Sequence, residues 1–165
     1  MRLAGAALVT AAGFLAGLGV WNGLRERADL RRSLCRMLAL MEFELERFRT
    51  PAPALFALLA DRLEGEAGAL CRRMCRGLET LGQRPLEEIW GEALGALPET
   101  ERRILLPLGQ VLGRYGAEEV LSALASCRVT MERAWDEART ALRERGRMAV
   151  GVSAAGAAAL AVLLL

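Results

Sequence analysis

Residues 30–48 read LRRSLCRMLALMEFELERF, and their apolar side chains recur at Leu30, Leu34, Met37, Leu38, Met41, Leu45 and Phe48. Intervals of three and four residues put these side chains on one face of an α-helix. A half-buried strand would instead alternate at every second residue, and the chain contains no alternating run of β-branched residues. The fold class expected is all-α. The helix stops at Thr50-Pro51-Ala52-Pro53. Thr50 is expected as N-cap of the next helix, with the prolines in its first turn, where a missing N–H is no loss.

Downstream the same periodicity continues. A short second helix buries Leu55, Leu58, Leu59 and Leu63 and ends near Gly65. A third, from about Glu66 to Leu81, carries Leu70, Met74 and Leu78, and Gly82 ends it. Pro85 opens a fourth with Leu86, Ile89, Trp90 and Leu94. Pro98-Glu99-Thr100 opens a fifth with Ile104, Leu105, Leu108, Val111 and Leu112, in which Pro107 predicts a kink or a break. Gly113 and Gly116 mark its end. From Ala117 a last helix places Val120, Leu124, Cys127, Met131, Trp135, Ala138 and Leu142 along one seam. Together these segments predict a compact bundle of about six helices.

The two ends differ from this body. Residues 3–24 carry no charge, and about 22 helical residues reach ~33 Å, the hydrocarbon thickness of a bilayer. Arg25, Arg27, Arg31 and Arg32 follow at once, which the positive-inside rule assigns to the cytoplasmic side, and Trp21 falls at the interfacial belt. A cleaved secretory signal after Arg2 is the rival reading of this end. Residues 148–165 are uncharged as well and follow Arg139, Arg143, Arg145 and Arg147. The organisation expected is therefore a transmembrane helix at 3–24, a cytoplasmic helical domain at 25–147 and a transmembrane helix at 148–165, with both termini on the far side.

Composition narrows the function. In 165 residues there is no histidine, and all 22 cationic side chains are arginine. Triad hydrolysis, histidine-ligated metal, a P-loop lysine and Schiff-base chemistry are excluded. A net charge of +2 argues against nucleic acid, which calls for a lopsided basic balance. Four cysteines at irregular spacing do not suit a secreted disulfide framework.

The order of features resembles the stage III sporulation protein AB family over essentially the whole chain. The resemblance rests on the leading anchor, Thr50-Pro51-Ala52-Pro53, the Trp-x-x-Ala-Leu helix at Trp90, Ala93 and Leu94, and the Leu-Gly-x-x-Leu-Gly segment at Leu108, Gly109, Leu112 and Gly113. It extends to a charged helix with Glu132, Glu137 and Glu144 that passes through Gly146-Arg147-Met148 into the terminal anchor. Gly116 stands where the family usually has an acidic residue, and Val120 where glutamine tends to follow.

The resemblance implies a membrane component of the sporulation channel complex between mother cell and forespore, needed for endospore formation. Its cytoplasmic domain would be similar to the inner-membrane platform protein of type II secretion and type IV pilus systems. Such a platform docks or anchors a hexameric secretion ATPase beside other membrane components. It implies no catalytic residue, no cofactor, no metal, no small-molecule substrate and no nucleic acid.

Candidate site residues each have a functional and a structural reading. Cys71 and Cys75 are four apart on one helix and suggest a membrane-tethered redox or metal sensor, but zinc sites use two intervening residues, and buried thiols are common in cores. Cys35 and Cys127 lie in apolar stripes. Glu87-Glu88 and Glu118-Glu119 suggest acid–base pairs, yet each opens a helix, where a carboxylate offsets the dipole. Arg25, Arg27, Arg31, Arg32, Arg143, Arg145 and Arg147 suit anionic lipid. Arg72, Arg73, Arg76, Arg102 and Arg103 suit forked pairing with a partner's carboxylates or a solvated face. Trp90 and Trp135 read as core anchors. A secreted helical binding module is the third functional class.

Overall fold

The computed structural model describes residues 2–112 and 116–164, with side chains described over 21–112 and 116–144. Six α-helices follow in order: α1 Arg2–Phe48, α2 Ala52–Arg62, α3 Gly65–Leu78, α4 Leu86–Ala93, α5 Glu99–Val111 and α6 Ala117–Leu164, with a 3-10 turn at Leu94–Ala96 after α4. Among the described residues the only β-type pairing is an isolated bridge between Leu81 and Arg84. The all-α expectation and the number of helices agree with this.

Two compact units divide the chain. One comprises residues 29–135, and the other residues 1–28 together with 136–165. In the first, the seam of α1 (Leu34, Met37, Leu38, Met41) joins Leu55, Phe56 and Leu59 of α2, Leu70 and Met74 of α3, Trp90 of α4, Leu105 and Leu108 of α5, and Leu124 and Met131 of α6 in one cluster. Phe56 and Trp90 meet with ring centroids 6.0 Å apart. Each such fully buried side chain contributes about 1.5–3 kcal/mol relative to exposure, which is why short helices such as α2 and α4 hold their shape.

The second unit is the ends of α1 and α6. Among the described residues no helix is long and apolar enough to cross a membrane. The spans expected at 3–24 and 148–165 lie outside the residues with described side chains, but for residues 21–24 of the first.

Several local expectations need correction. Thr50 is not the N-cap of α2; Pro51 holds that position with no side-chain cap, and its carbonyl accepts the Leu55 N–H at 2.9 Å. α3 ends at Leu78, not Leu81. There Thr80 Oγ1 donates to the Gly77 carbonyl at 2.7 Å, and the Thr80 and Leu81 amides bond three residues back, converting the helix to turns. The chain then reverses at Gly82, whose φ of +106° a side chain would resist. Pro107 does not break α5, which runs from Glu99 to Val111 through it. Phe48 leaves the apolar seam and is 65% exposed. Trp135 is half-buried rather than a full core anchor.

Candidate functional site

The motif residues of α4 and α5 are brought together around one indole. Trp90 is fully buried, and its Nε1 donates to the Leu105 carbonyl at 2.9 Å. A Cβ on Gly109 would lie 2.6 Å from Trp90 Cδ1. Glycine at that position is therefore what lets α5 approach the ring. Ala93, Leu94, Leu108 and Leu112 are buried in the same cluster. On the other side Arg73 Nε donates to the Ala93 carbonyl at 2.9 Å, and its Nη2 donates to Glu66 at 2.8 Å. Arg73 thus caps the end of α4 from α3 and is committed within the body.

A second knot lies where α1, α5 and α6 meet. Arg31 Nε donates to Glu101 Oε1 at 2.6 Å, and its Nη1 donates to the Ala134 carbonyl at 2.8 Å. The two side chains are 15% and 2% exposed. Arg31, grouped from sequence with the membrane-flanking arginines, is therefore spent on an internal ion pair. Arg25, Arg27, Arg32 and Arg143 are exposed; Trp21 is 36% exposed. Arg145, Gly146 and Arg147 lie beyond the described side chains, and Gly113 lies outside the described residues.

Two further ion pairs bind α1 to its neighbours. Arg128 on α6 donates to Glu42 at 2.9 Å and to Glu132 at 2.8 Å. Arg62 of α2 reaches Glu44 at 3.3 Å. Among the residues with described side chains, Glu44 and Glu101 are the buried charged ones, at 5% and 1% exposure. Neither was singled out from sequence, although a signal existed. Glu101 is in register with Leu105, Leu108 and Leu112, and Glu44 with Met37 and Met41, so each carboxylate sits on an apolar seam.

The remaining candidates do not assemble a reactive centre. Cys71 is fully buried, and burial first, then the neighbouring Cys75, pushes its thiol up to about 12. Burial also raises the Cys75 thiol and that of Cys127, whose Sγ donates to the Ile104 carbonyl at 3.2 Å. Low thiolate content is the opposite of what a redox sensor or metal ligand needs. All four cysteines are free thiols, and the described residues hold no group of three His, Cys, Asp or Glu placed to bind a metal.

Glu88, in the first turn of α4, accepts from Arg84 Nη2 at 2.8 Å, and the same guanidinium reaches Glu92 at 2.6 Å. Glu118 and Glu119 open α6 and are exposed. Arg102 and Arg103 both pair with Glu99, while Arg72 and Arg76 are exposed.

Comparison with known proteins places this arrangement. A solved structure described as stage III sporulation protein AB superposes with a TM-score of 0.64 at 20% identity, covering 72% of this chain and 97% of that one. That likeness carries the helical fold. No curated relative matches the sequence. The family model described as stage III sporulation protein AB matches residues 2–165, essentially the whole chain. The chain belongs to the stage III sporulation protein AB family.

Proposed function

We propose that this chain is a non-enzymatic platform of the sporulation-specific secretion-like channel complex between mother cell and forespore. In this reading residues 3–24 and 148–165 span the mother-cell membrane that faces the forespore. The helical body lies in the cytoplasm, where it docks or anchors a secretion-type ATPase. Membership in a family of sporulation proteins supports the setting.

One observation carries the reading. The first and last helices, 47 and 48 residues long, continue from the body into the uncharged ends. Within the body these same two helices are tied together by Arg128 with Glu42 and by Arg31, which bonds both Glu101 and the Ala134 carbonyl. A load applied to such a body passes into both attachment points without first unfolding a loop, because charge-assisted hydrogen bonds shielded from water resist separation. The chemistry of the side chains supports the same conclusion, since the paired carboxylates are helix-opening or ion-paired and burial pushes the thiols of Cys71, Cys75 and Cys127 up.

The test is a detergent-solubilised pull-down of the full chain from sporulating cells. The sporulation ATPase and membrane components of the channel complex should co-purify, the chain alone should hydrolyse no nucleotide, and its deletion should block spore formation. Normal sporulation without the chain, together with no co-purifying ATPase, would refute the proposal.

A further inference from the structure

The outer face of α1 sets exposed, unpaired arginines beside exposed aromatic rings. Arg72 and Arg76 of α3 and Arg133 of α6 are also exposed without an ion-pair partner among the described residues, but the exposed aromatic side chains described within residues 29–135, Phe43 and Phe48, are both on α1. Arg31, Arg62, Arg73, Arg84, Arg102, Arg103 and Arg128 each meet a carboxylate of this chain. Arg32, Arg36 and Arg47 are exposed, and none has an ion-pair partner among the described residues. Their spacing of four and eleven residues, with Phe43 between, sets all of them on one helix face. That face is opposite the seam of Leu34, Met37, Leu38 and Met41, which are fully buried.

The face also presents an aromatic anchor. Phe43 is 47% exposed, its ring is met edge-on by Phe48 with centroids 6.0 Å apart at 72°, and the Arg47 guanidinium carbon lies 6.0 Å from its centroid. A phenyl ring held between two neighbours has little rotamer freedom left to lose on binding. Ala39, exposed between Arg36 and Phe43, leaves room for a partner's side chain to enter. Arginine and aromatic residues are the types enriched at interface centres, and arginine binds carboxylates by a fork.

We infer that Arg32, Arg36, Phe43 and Arg47 form the surface on which α1 docks the secretion-type ATPase, through an acidic patch of that partner surrounding an apolar pocket. This inference rests on the platform reading above and adds the face and the partner's chemistry. A protein is preferred over a lipid leaflet because Asp29 and Glu46 are exposed on the same side of α1. Anionic headgroups would repel both, whereas a protein surface can leave them at a solvated rim.

The test titrates the full-length chain in detergent against the sporulation ATPase, using wild type, R32E/R36E/R47E, the milder R32Q/R36Q/R47Q, F43A and, on α3, R72E/R76E. Thermal melts of all variants should stay near wild type, since every altered side chain is outside the core. Affinity of the wild type should fall as salt rises from about 0.05 to about 0.5 M. Charge reversal and F43A should each weaken binding at least about tenfold, with the glutamine variant between, and R72E/R76E should bind as wild type.

A wild type that fails to bind the ATPase overturns the platform reading and this surface with it. Wild-type binding that survives both reversal and F43A, or that is lost in R72E/R76E alone, overturns the surface and leaves the platform standing. Flotation with vesicles of phosphatidylcholine and phosphatidylglycerol separates the lipid source. Variants that keep ATPase affinity but float less would assign the stripe to the membrane and overturn the inference.

Discussion

Arg31 and Glu101, 70 residues apart in sequence, meet at 2.6 Å with the carboxylate almost wholly withdrawn from water. The two partners are not equivalent. Removing Arg31 leaves a carboxylate that is 2% exposed with no counter-charge, whereas removing Glu101 leaves a guanidinium that is 15% exposed and still bonded to the Ala134 carbonyl. Arg31→Met should therefore cost about 3–5 kcal/mol and Glu101→Leu about 1–3 kcal/mol. The double variant should be more stable than Arg31→Met alone. Denaturant unfolding followed by helical circular dichroism measures all three, and additive losses would contradict the pairing.

The approach of α5 to Trp90 makes a second expectation. With 2.6 Å between the site of a new Cβ and the indole, Gly109→Ala must push the ring or the helix aside. The expected loss is about 1–3 kcal/mol, typical of an overpacked core. Trp90→Ala should cost about 3–5 kcal/mol by itself. In that background Gly109→Ala should cost clearly less than it does alone, because the ring it collides with is gone. Equal costs in the two backgrounds would show that Gly109 matters for some reason other than this contact.

These two pairs also mark the boundary of what the residues reveal before they are folded. The helices were legible because their seams repeat at three and four residues, and Pro51, Pro85 and Pro98 punctuate them at positions where proline costs nothing. Trp90 was legible as an anchor, since it lies on the seam of α4. What it anchors was not, because the Leu105 carbonyl is 15 residues away and reaches it only through tertiary packing. Thr50 misled for a local reason: proline in the next position already supplies the extended backbone a cap requires. Arg31 misled for a distant one. Its sequence neighbours Arg27 and Arg32 are exposed, and only the return of α5 and α6 onto α1 turns it inward.

The thiols give a prediction in pH. A group whose folded-state pKa is raised keeps its proton in the native protein after the unfolded chain has begun to lose it. Its contribution is fully present below the unfolded value and is lost as pH climbs toward the folded one. For Cys71 that window runs from the ordinary 9.0 to about 12. Stability should fall there by up to about 1.4 kcal/mol per pH unit, and less in Cys71→Ala. Alkylation by iodoacetamide at pH 8 should be slow at Cys71 and Cys127 until the chain is unfolded. Cys71→Ser/Cys75→Ser should still sporulate wherever it folds, and a sporulation block in a folded double variant would revive the sensor reading.

Arg49 closes α1 in a conformation that suits another residue. Its φ of +47° lies in the left-handed region, where it is the non-glycine example among the described residues, and its amide still reaches the Leu45 carbonyl at 3.2 Å. This is the position at which helices commonly place glycine, since a Cβ there crowds the following carbonyl at a cost of about 1–2 kcal/mol. Glycine in turn has more freedom to lose on folding, by roughly 0.5–1 kcal/mol. The Arg49 side chain is exposed with no ion pair among the described residues, so no contact is forfeited. Arg49→Gly should therefore stabilise the chain by about 0.5–1 kcal/mol and raise its melting temperature by about 1–4 °C. Arg49→Ala, which keeps the Cβ, should give no such gain. If alanine stabilises as much as glycine, the backbone at residue 49 is not strained, and the end of α1 is fixed by the prolines that follow it.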